Sequence, residues 1–343
     1  MSDSPQTQSQ SLDALQRVGP LVHLPALAAE YGVALDAIVN GTGVAAAAFA
    51  DSDALISYRQ CSRILARCAK LTGNPQFGLL LGARTTTADL GQLGALFRAA
   101  PTLGQAMVAA VDVQAVNSRG ATVYLHRSGD DVVFGYAIYE RDAVAQDQLY
   151  PMLVAALASV IRELTQGAVV PVEMLLPLRP PVDQRPFDVA LGAPLRFDQA
   201  EAGVVLPVAA LDAPVAGGDP ETFNRISSNA SAQLAQAQRP WTRRVQRAMR
   251  PLILRGAPST GAMARLLGIE LRTLTRHLAR EGTTFQTELD ATRRAMACEL
   301  LQTTGLAIAD VADALAYAHQ ASFTDAFRRW TGKTPSDWRA AAA

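Results

Sequence analysis

Apolar residues recur at three- and four-residue spacing through most of the first hundred positions. Segments 21–31, 35–39, 57–69 and 75–81 follow this rule, and 103–116 continues it after Pro101-Thr102. That period predicts amphipathic helices. The period then changes. Residues 121–127 and 132–139 alternate or run apolar, with β-branched and aromatic side chains, on either side of Ser128-Gly129-Asp130-Asp131. This predicts a β-hairpin with a short polar turn. A helical pattern returns over 146–165, and 169–176, 195–197 and 203–206 read as strands between proline-rich turns such as Arg179-Pro180-Pro181. Helices around a small sheet predict an α+β domain that ends at Gly217-Gly218-Asp219-Pro220.

Beyond it the pattern is helical throughout. A polar stretch rich in Ala, Gln and Ser, 221–238, predicts a helical connector, with Arg239-Pro240 as the hinge because Pro disfavours helix in the residue before it. Residues 241–254 predict a leading helix, 261–267 a support helix and 271–281 a recognition helix, with Gly268 in the turn. Met263, Leu266, Leu267, Ile269, Leu274 and Leu278 are the expected core of this helix-turn-helix. A connecting helix over 285–301, ended by Gly305, leads to a second unit built from 308–316 and 320–330. In that unit Phe323, Phe327 and Trp330 form an aromatic stripe expected in the core. A short final helix follows Lys333-Thr334-Pro335. The expected division is a solvated tail (1–12), an α+β effector-binding or dimerisation domain (13–218), a helical linker (219–240) and an all-α domain with two helix-turn-helix motifs (241–343).

Charge supports that division. Arg and Lys number 31 and Asp and Glu 31, so the chain is neutral overall. From Pro240 onward, however, fifteen bases face nine acids, a net of +6, which leaves 16 bases, 22 acids and −6 for the rest. A basic module on an acidic one suggests a polyanion-binding part joined to a part with another task. Two helix-turn-helix units let one chain reach two successive major-groove faces of double-stranded DNA. On the first recognition helix Arg272, Thr275 and Arg276 share one outward face, and Arg is the commonest reader of guanine.

Other functions find little support. There is no nucleophile elbow, no Gly-rich phosphate loop and no His or Cys cluster at metal spacing, so neither an enzyme nor a cofactor or metal is expected. Cys61 and Cys68 fall on one helical face and Cys298 on another helix, as small packing residues of a reduced compartment. No apolar run reaches membrane-spanning length and residues 1–10 lack the regions of a signal peptide, so a cytoplasmic protein without membrane contact is expected. A purely architectural DNA binder would not need the long first domain. Polar or aromatic side chains on its apolar elements, Asn117, Tyr124, His126, Tyr136 and Tyr139, are the candidate effector contacts. Tyr124 and His126 share a strand face, as do Val132, Phe134 and Tyr136 or their neighbours, according to register.

The C-terminal part resembles the DNA-binding domain of AraC/XylS-type regulators. The match rests on 274–282, 293–301, Ile308-Ala309-Asp310-Val311-Ala312 and the string from Ser322 through Phe327-Arg328-Arg329-Trp330-Thr331-Gly332 to Pro335. The N-terminal part is similar to the arabinose-binding-like domain of such regulators, through Leu71-Thr72-Gly73-Asn74-Pro75, Asp89-Leu90-Gly91-Gln92-Leu93-Gly94 and Leu191-Gly192-Ala193-Pro194-Leu195-Arg196-Phe197. The resemblance implies a bacterial transcription regulator, with a small-molecule effector on the N-terminal domain, a homodimer, and RNA polymerase as a further candidate partner. The alternative is a ligand-independent regulator controlled by dimerisation or a protein partner. Candidate DNA contacts are Arg272, Thr273, Thr275 and Arg276 in the first unit, and Gln320, Ala321, Ser322, Asp325, Arg328 and Arg329 in the second. Three features depart from the family's pattern: Glu270 and Ala318 stand where Ser usually caps the recognition helices, Ala316 replaces the second turn's Gly, and Asp325 replaces an Arg. A carboxylate facing the groove repels phosphates unless it accepts from a cytosine amino group. The first unit is therefore expected to dominate affinity, with Arg328 and Arg329 supplying phosphate contacts.

Overall fold

A short antiparallel pair opens the chain: β1 (Leu15–Arg17) pairs with β2 (Leu55–Ser57), and α1 (Leu24–Glu30) and α2 (Leu35–Val39) lie between them in sequence. The computed structural model describes residues 14–140, 143–236, 240–256 and 258–342. The tail expected over 1–12 and the hinge residue Arg239 lie outside the described residues. β2 runs directly into α3 (Tyr58–Thr72), where a capping box fixes the start. Ser57 accepts from the Gln60 backbone N–H, and the Gln60 side chain accepts from the Ser57 N–H. Gly73, at φ 65, ends the helix.

Next come α4 (Phe77–Ala83), α5 (Gly91–Ala99) and α6 (Leu103–Val113), then the hairpin of β3 (Ala121–Ser128) and β4 (Asp131–Ile138). Ser128 pairs with Asp131 across a two-residue turn whose first position is Gly129 at φ 64. The long α7 (Gln146–Leu164) precedes β5 (Glu173–Leu175), α8 (Arg185–Leu191), β6 (Leu195–Arg196) and β7 (Ala202–Pro207). The five-stranded sheet has the order β3-β4-β7-β5-β6 and is antiparallel except for β5 beside β6. β4 and β7 are buried along nearly their whole length, which explains their continuous apolar runs. α4 packs closely on α7. Gly78 and Gly82, four apart, lie on the carbonyls of Gln148 and Met152, so close that a Cβ at either glycine would overlap backbone. Buried Gln148 locks this contact, accepting from the Gly78 N–H (3.0 Å) and donating to the Pro75 carbonyl (2.8 Å). The first unit closes with α9 (Pro220–Gln236), which packs on α5, α6 and the one-turn 3-10 helix Gln114–Val116.

The chain divides into two units; the second holds 238–343 together with the short segments Pro177–Pro180 and Phe197–Glu201. It contains α10 (Trp241–Leu254), α11 (Thr260–Leu266), α12 (Leu271–Arg280), α13 (Phe285–Thr303), α14 (Ile308–Ala314), α15 (Gln320–Thr331) and α16 (Pro335–Ala342). One core cluster, from Val245 and Met249 through Leu274, Leu278 and Leu300 to Phe323 and Phe327, joins both helix-turn-helix units to α10 and α13. A buried ion pair ties α10 to α13: the Arg250 guanidinium meets the Glu299 carboxylate through two hydrogen bonds.

Several expectations need correction in detail. Leu266 does not join the core and is 50% exposed, while Leu267 and Ile269 are only partly buried. The connecting helix ends at Thr304, in extended backbone, with its hydroxyl donating to the Leu300 carbonyl; Gly305 has no part in the cap. The β5 strand is shorter than the apolar run 169–176 suggested, and α8 and the β1–β2 pair carry no periodic signal long enough to predict them.

Candidate DNA interface and ligand cavity

The first recognition helix, α12, buries Leu274 and Leu278 and exposes Leu271, Arg272, Thr275, Arg276, Ala279 and Arg280. Arg272, Arg276 and Arg280 succeed one another every fourth residue and form one basic stripe. Arg280 extends the face that sequence reasoning ended at Arg276; its spacing was the available signal. Thr273 points sideways and is half-buried, and the exposed Thr275 hydroxyl donates back to the Leu271 carbonyl (3.0 Å). Thr275 therefore offers its methyl group and a hydroxyl lone pair, not a free O–H. The helix is held from behind. Trp241 of α10 stacks on His277 with ring centroids 4.5 Å apart, and the Arg244 guanidinium lies over the Trp241 ring, 4.5 Å from its centroid. Glu281, just past α12, accepts from the Trp241 N–H, the Thr242 N–H and the Thr242 hydroxyl, capping the start of α10. Burial pushes the Glu281 carboxyl upward, but these hydrogen bonds and the nearby His277 outweigh it and hold the group below its ordinary value.

In the second unit, α15 buries Phe323, Ala326 and Phe327 and exposes Gln320, Ala321, Ser322, Asp325, Arg328 and Arg329. Its cap is His319, not Ala318, and neither His319 nor Glu270 at the start of α12 makes a side-chain cap bond. The expected loss of both Ser caps holds, with one position moved. Ala316 takes the left-handed conformation that the missing turn glycine would have adopted, at φ 57. Arg293 of α13 braces this turn. Its guanidinium donates to the carbonyls of Leu315 (2.9 Å) and Ala316 (2.9 Å) and lies 4.3 Å from the centre of the Tyr317 ring. Sequence reading assigned Arg293 no role, because its partners are backbone atoms more than twenty residues away.

The first unit contains a cavity of about 880 Å³, open mouth included, between α5, α6, α7 and the β3–β4 hairpin. Its walls are mainly apolar, with Leu93, Phe97, Met107, Met152, Leu157 and Val160 among them. Gln16, Thr85, Gln114, Asn117, Ser118 and Tyr136 add polar groups. Register sorts the candidate effector contacts. Val123 pairs with Tyr136, so those two side chains and Phe134 share the face on the cavity. Tyr124 pairs with Gly135 on the other face, where its ring covers the glycine and stacks on His126. Asn117 and Tyr136 thus line the cavity; Tyr124, His126 and Tyr139 are not among its lining residues. The Tyr136 hydroxyl meets that of Tyr58 at 3.3 Å, and burial pushes both phenols up. Cys61 and Cys68 are buried packing groups, and burial pushes each thiol up to about 12.

Two helix-turn-helix units in one core, carried by the same chain as an α+β domain with an apolar cavity, define a DNA-binding transcription regulator. The family described as "Arabinose-binding domain of AraC transcription regulator, N-term" matches residues 32–215, and a helix-turn-helix domain family matches 263–341. The chain belongs to the AraC family of transcription regulators. The ornithine utilization regulator of Pseudomonas aeruginosa is 29% identical over 321 residues, 92% of this chain and 93% of that protein. The regulator VirS of Mycobacterium tuberculosis is 28% identical, over 84% of this chain and 85% of its own. Among solved structures, the transcriptional regulator CdpR from Pseudomonas aeruginosa is 28% identical and aligns over 78% of this chain and 87% of its own, with a TM-score of 0.41. Among the described residues no helix is long and apolar enough to cross a membrane, and no cluster of His, Cys, Asp or Glu suits a metal ion.

Proposed function

We propose that this protein regulates transcription by binding operator DNA through the Arg272–Arg276 face of α12, under the control of a small molecule held in the cavity of its N-terminal domain. The observation that carries the DNA reading is the exposed stripe of Arg272, Arg276 and Arg280 on a helix fixed from behind by buried Leu274 and Leu278. Arg272 and Arg276 read base edges, and Arg280 meets phosphate. In the second unit Gln320, Ala321 and Ser322 approach the next groove face, Asp325 limits that approach, and Arg328 and Arg329 clamp the backbone. Residues 13–218 form the effector domain, 219–240 the linker and 241–343 the DNA-binding domain. The active species is a cytoplasmic homodimer that acts with RNA polymerase at bacterial promoters.

Effector control follows from differential affinity. A ligand that favours one arrangement of the domains or of the dimer shifts operator occupancy only as far as it discriminates between arrangements. Selection of binding sites from a random duplex pool with the full chain tests the DNA reading. A recurrent site should emerge, with affinity falling steeply as salt rises. Equal binding to unrelated duplexes would refute it.

A further inference from the structure

The 3-10 turn Gln114–Val116 and the residue after it carry two buried amides whose oxygens have no hydrogen-bond partner. Gln114 is 4% exposed and Asn117 8% exposed, both line the cavity, and Oε1 of the first and Oδ1 of the second are unpartnered. Buried amide oxygens are ordinarily satisfied, so two in one wall mark a place where a donor is expected. The neighbouring polar groups are already engaged: the Ser118 hydroxyl donates to Gln16 Oε1 (3.2 Å), and the Tyr136 hydroxyl meets Tyr58. No Asp, Glu, Lys, Arg or His is among the residues lining the cavity. A charged group entering it would lose its hydration without gaining a counter-ion. A molecule covered in hydroxyls would leave most of them unsatisfied against Leu, Phe, Met and Val.

Taking the cavity as the effector site, we propose that its ligand is an uncharged molecule with an extended hydrocarbon body and a single hydrogen-bond-donating head, an alcohol or an amide, bound by Gln114 and Asn117. The hydrocarbon lies between α5, α6 and α7, where Met107 and Met152 adapt to its shape. The same chemistry excludes a free amino acid or a sugar as the ligand of this cavity. It also supplies a readout, because α9, which leads towards the DNA-binding domain in sequence, packs on α5, α6 and the Gln114–Val116 turn. A head group held by Gln114 and Asn117 acts directly on the turn that α9 touches.

The test is calorimetric titration of the full-length protein with straight-chain 1-alkanols of increasing length, the matching alkanoates and alkanes, ornithine and arabinose. Saturable binding of one alkanol per chain is expected, tightening about fourfold per added methylene until the cavity is full. Alkanoates and alkanes of equal length should bind more weakly, and ornithine and arabinose should not compete. Asn117→Leu should weaken the alkanol about tenfold while leaving the alkane unaffected, a difference that loss of folding cannot mimic. Tighter binding of the alkanoate, of ornithine or of arabinose, or no saturable alkanol binding, would overturn the proposal. Operator affinity measured in the same samples separates it from effector control. Alkanol binding without a change in operator affinity would uphold the ligand class and remove the control. A change driven by ornithine without alkanol binding would do the reverse.

Discussion

At Ala316 the backbone is left-handed (φ 57), a conformation that costs a side-chain-bearing residue on the order of 1 kcal/mol. Arg293 offsets this by holding two successive carbonyls of the turn, those of Leu315 and Ala316. Two outcomes follow. Ala316→Gly should stabilise the protein in urea unfolding by a few tenths to about 1 kcal/mol, with the glycine's greater chain entropy limiting the gain. Arg293→Ala should destabilise it by about 1–3 kcal/mol, because two carbonyls lose a charged donor, and the loss should shrink in the Ala316→Gly background. Glu281 gives a pH signature. Its folded pKa lies below the ordinary carboxylate value, so its contribution is complete above about pH 4.5 and is lost as pH falls through the folded pKa. Glu281→Gln should flatten the acid limb of the stability curve; an unchanged limb would show that other carboxylates set it.

Among elements, α4 lies against α7 at backbone distance, through Gly78 and Gly82. Gly82→Ala should cost about 1–3 kcal/mol, since its Cβ meets a carbonyl that cannot rotate aside; thermal unfolding measures it. The longer helices were legible because a 3.6-residue period survives over ten or more positions, and the hairpin because a polar turn around Gly129 separates two runs of apolar, β-branched and aromatic residues, although their register stayed open. Three-residue strands such as β1 and β2 carry too few positions to show a period. The cavity was half legible. Asn117 and Tyr136 stood out as polar groups on apolar elements, but which face of β3 meets α6 and α7 is decided by tertiary packing, and Tyr124 fell on the wrong side of it. Gln114 escaped notice because a Gln ending an apolar helix looks like a solvated residue.

Over the whole molecule, the +6 net charge from Pro240 onward suits that region to a polyanion, and the −6 of the rest does not. The two recognition helices are unequal. α12 presents Arg272, Arg276 and Arg280, whereas α15 presents Gln320, Ser322 and Asp325 before its Arg328-Arg329 pair. Removing the Asp325 charge with Asp325→Asn should strengthen binding to all duplexes alike and leave sequence preference intact, as expected for relief of phosphate repulsion. The asymmetry itself is tested most directly by operator affinity at fixed salt for the full-length protein and its Arg276→Ala and Gln320→Ala variants. A reader in α12 and a clamp in α15 predict a loss of about 1–3 kcal/mol, with relaxed preference at one base pair, for Arg276→Ala and a smaller loss for Gln320→Ala. A larger loss from Gln320→Ala would contradict the account.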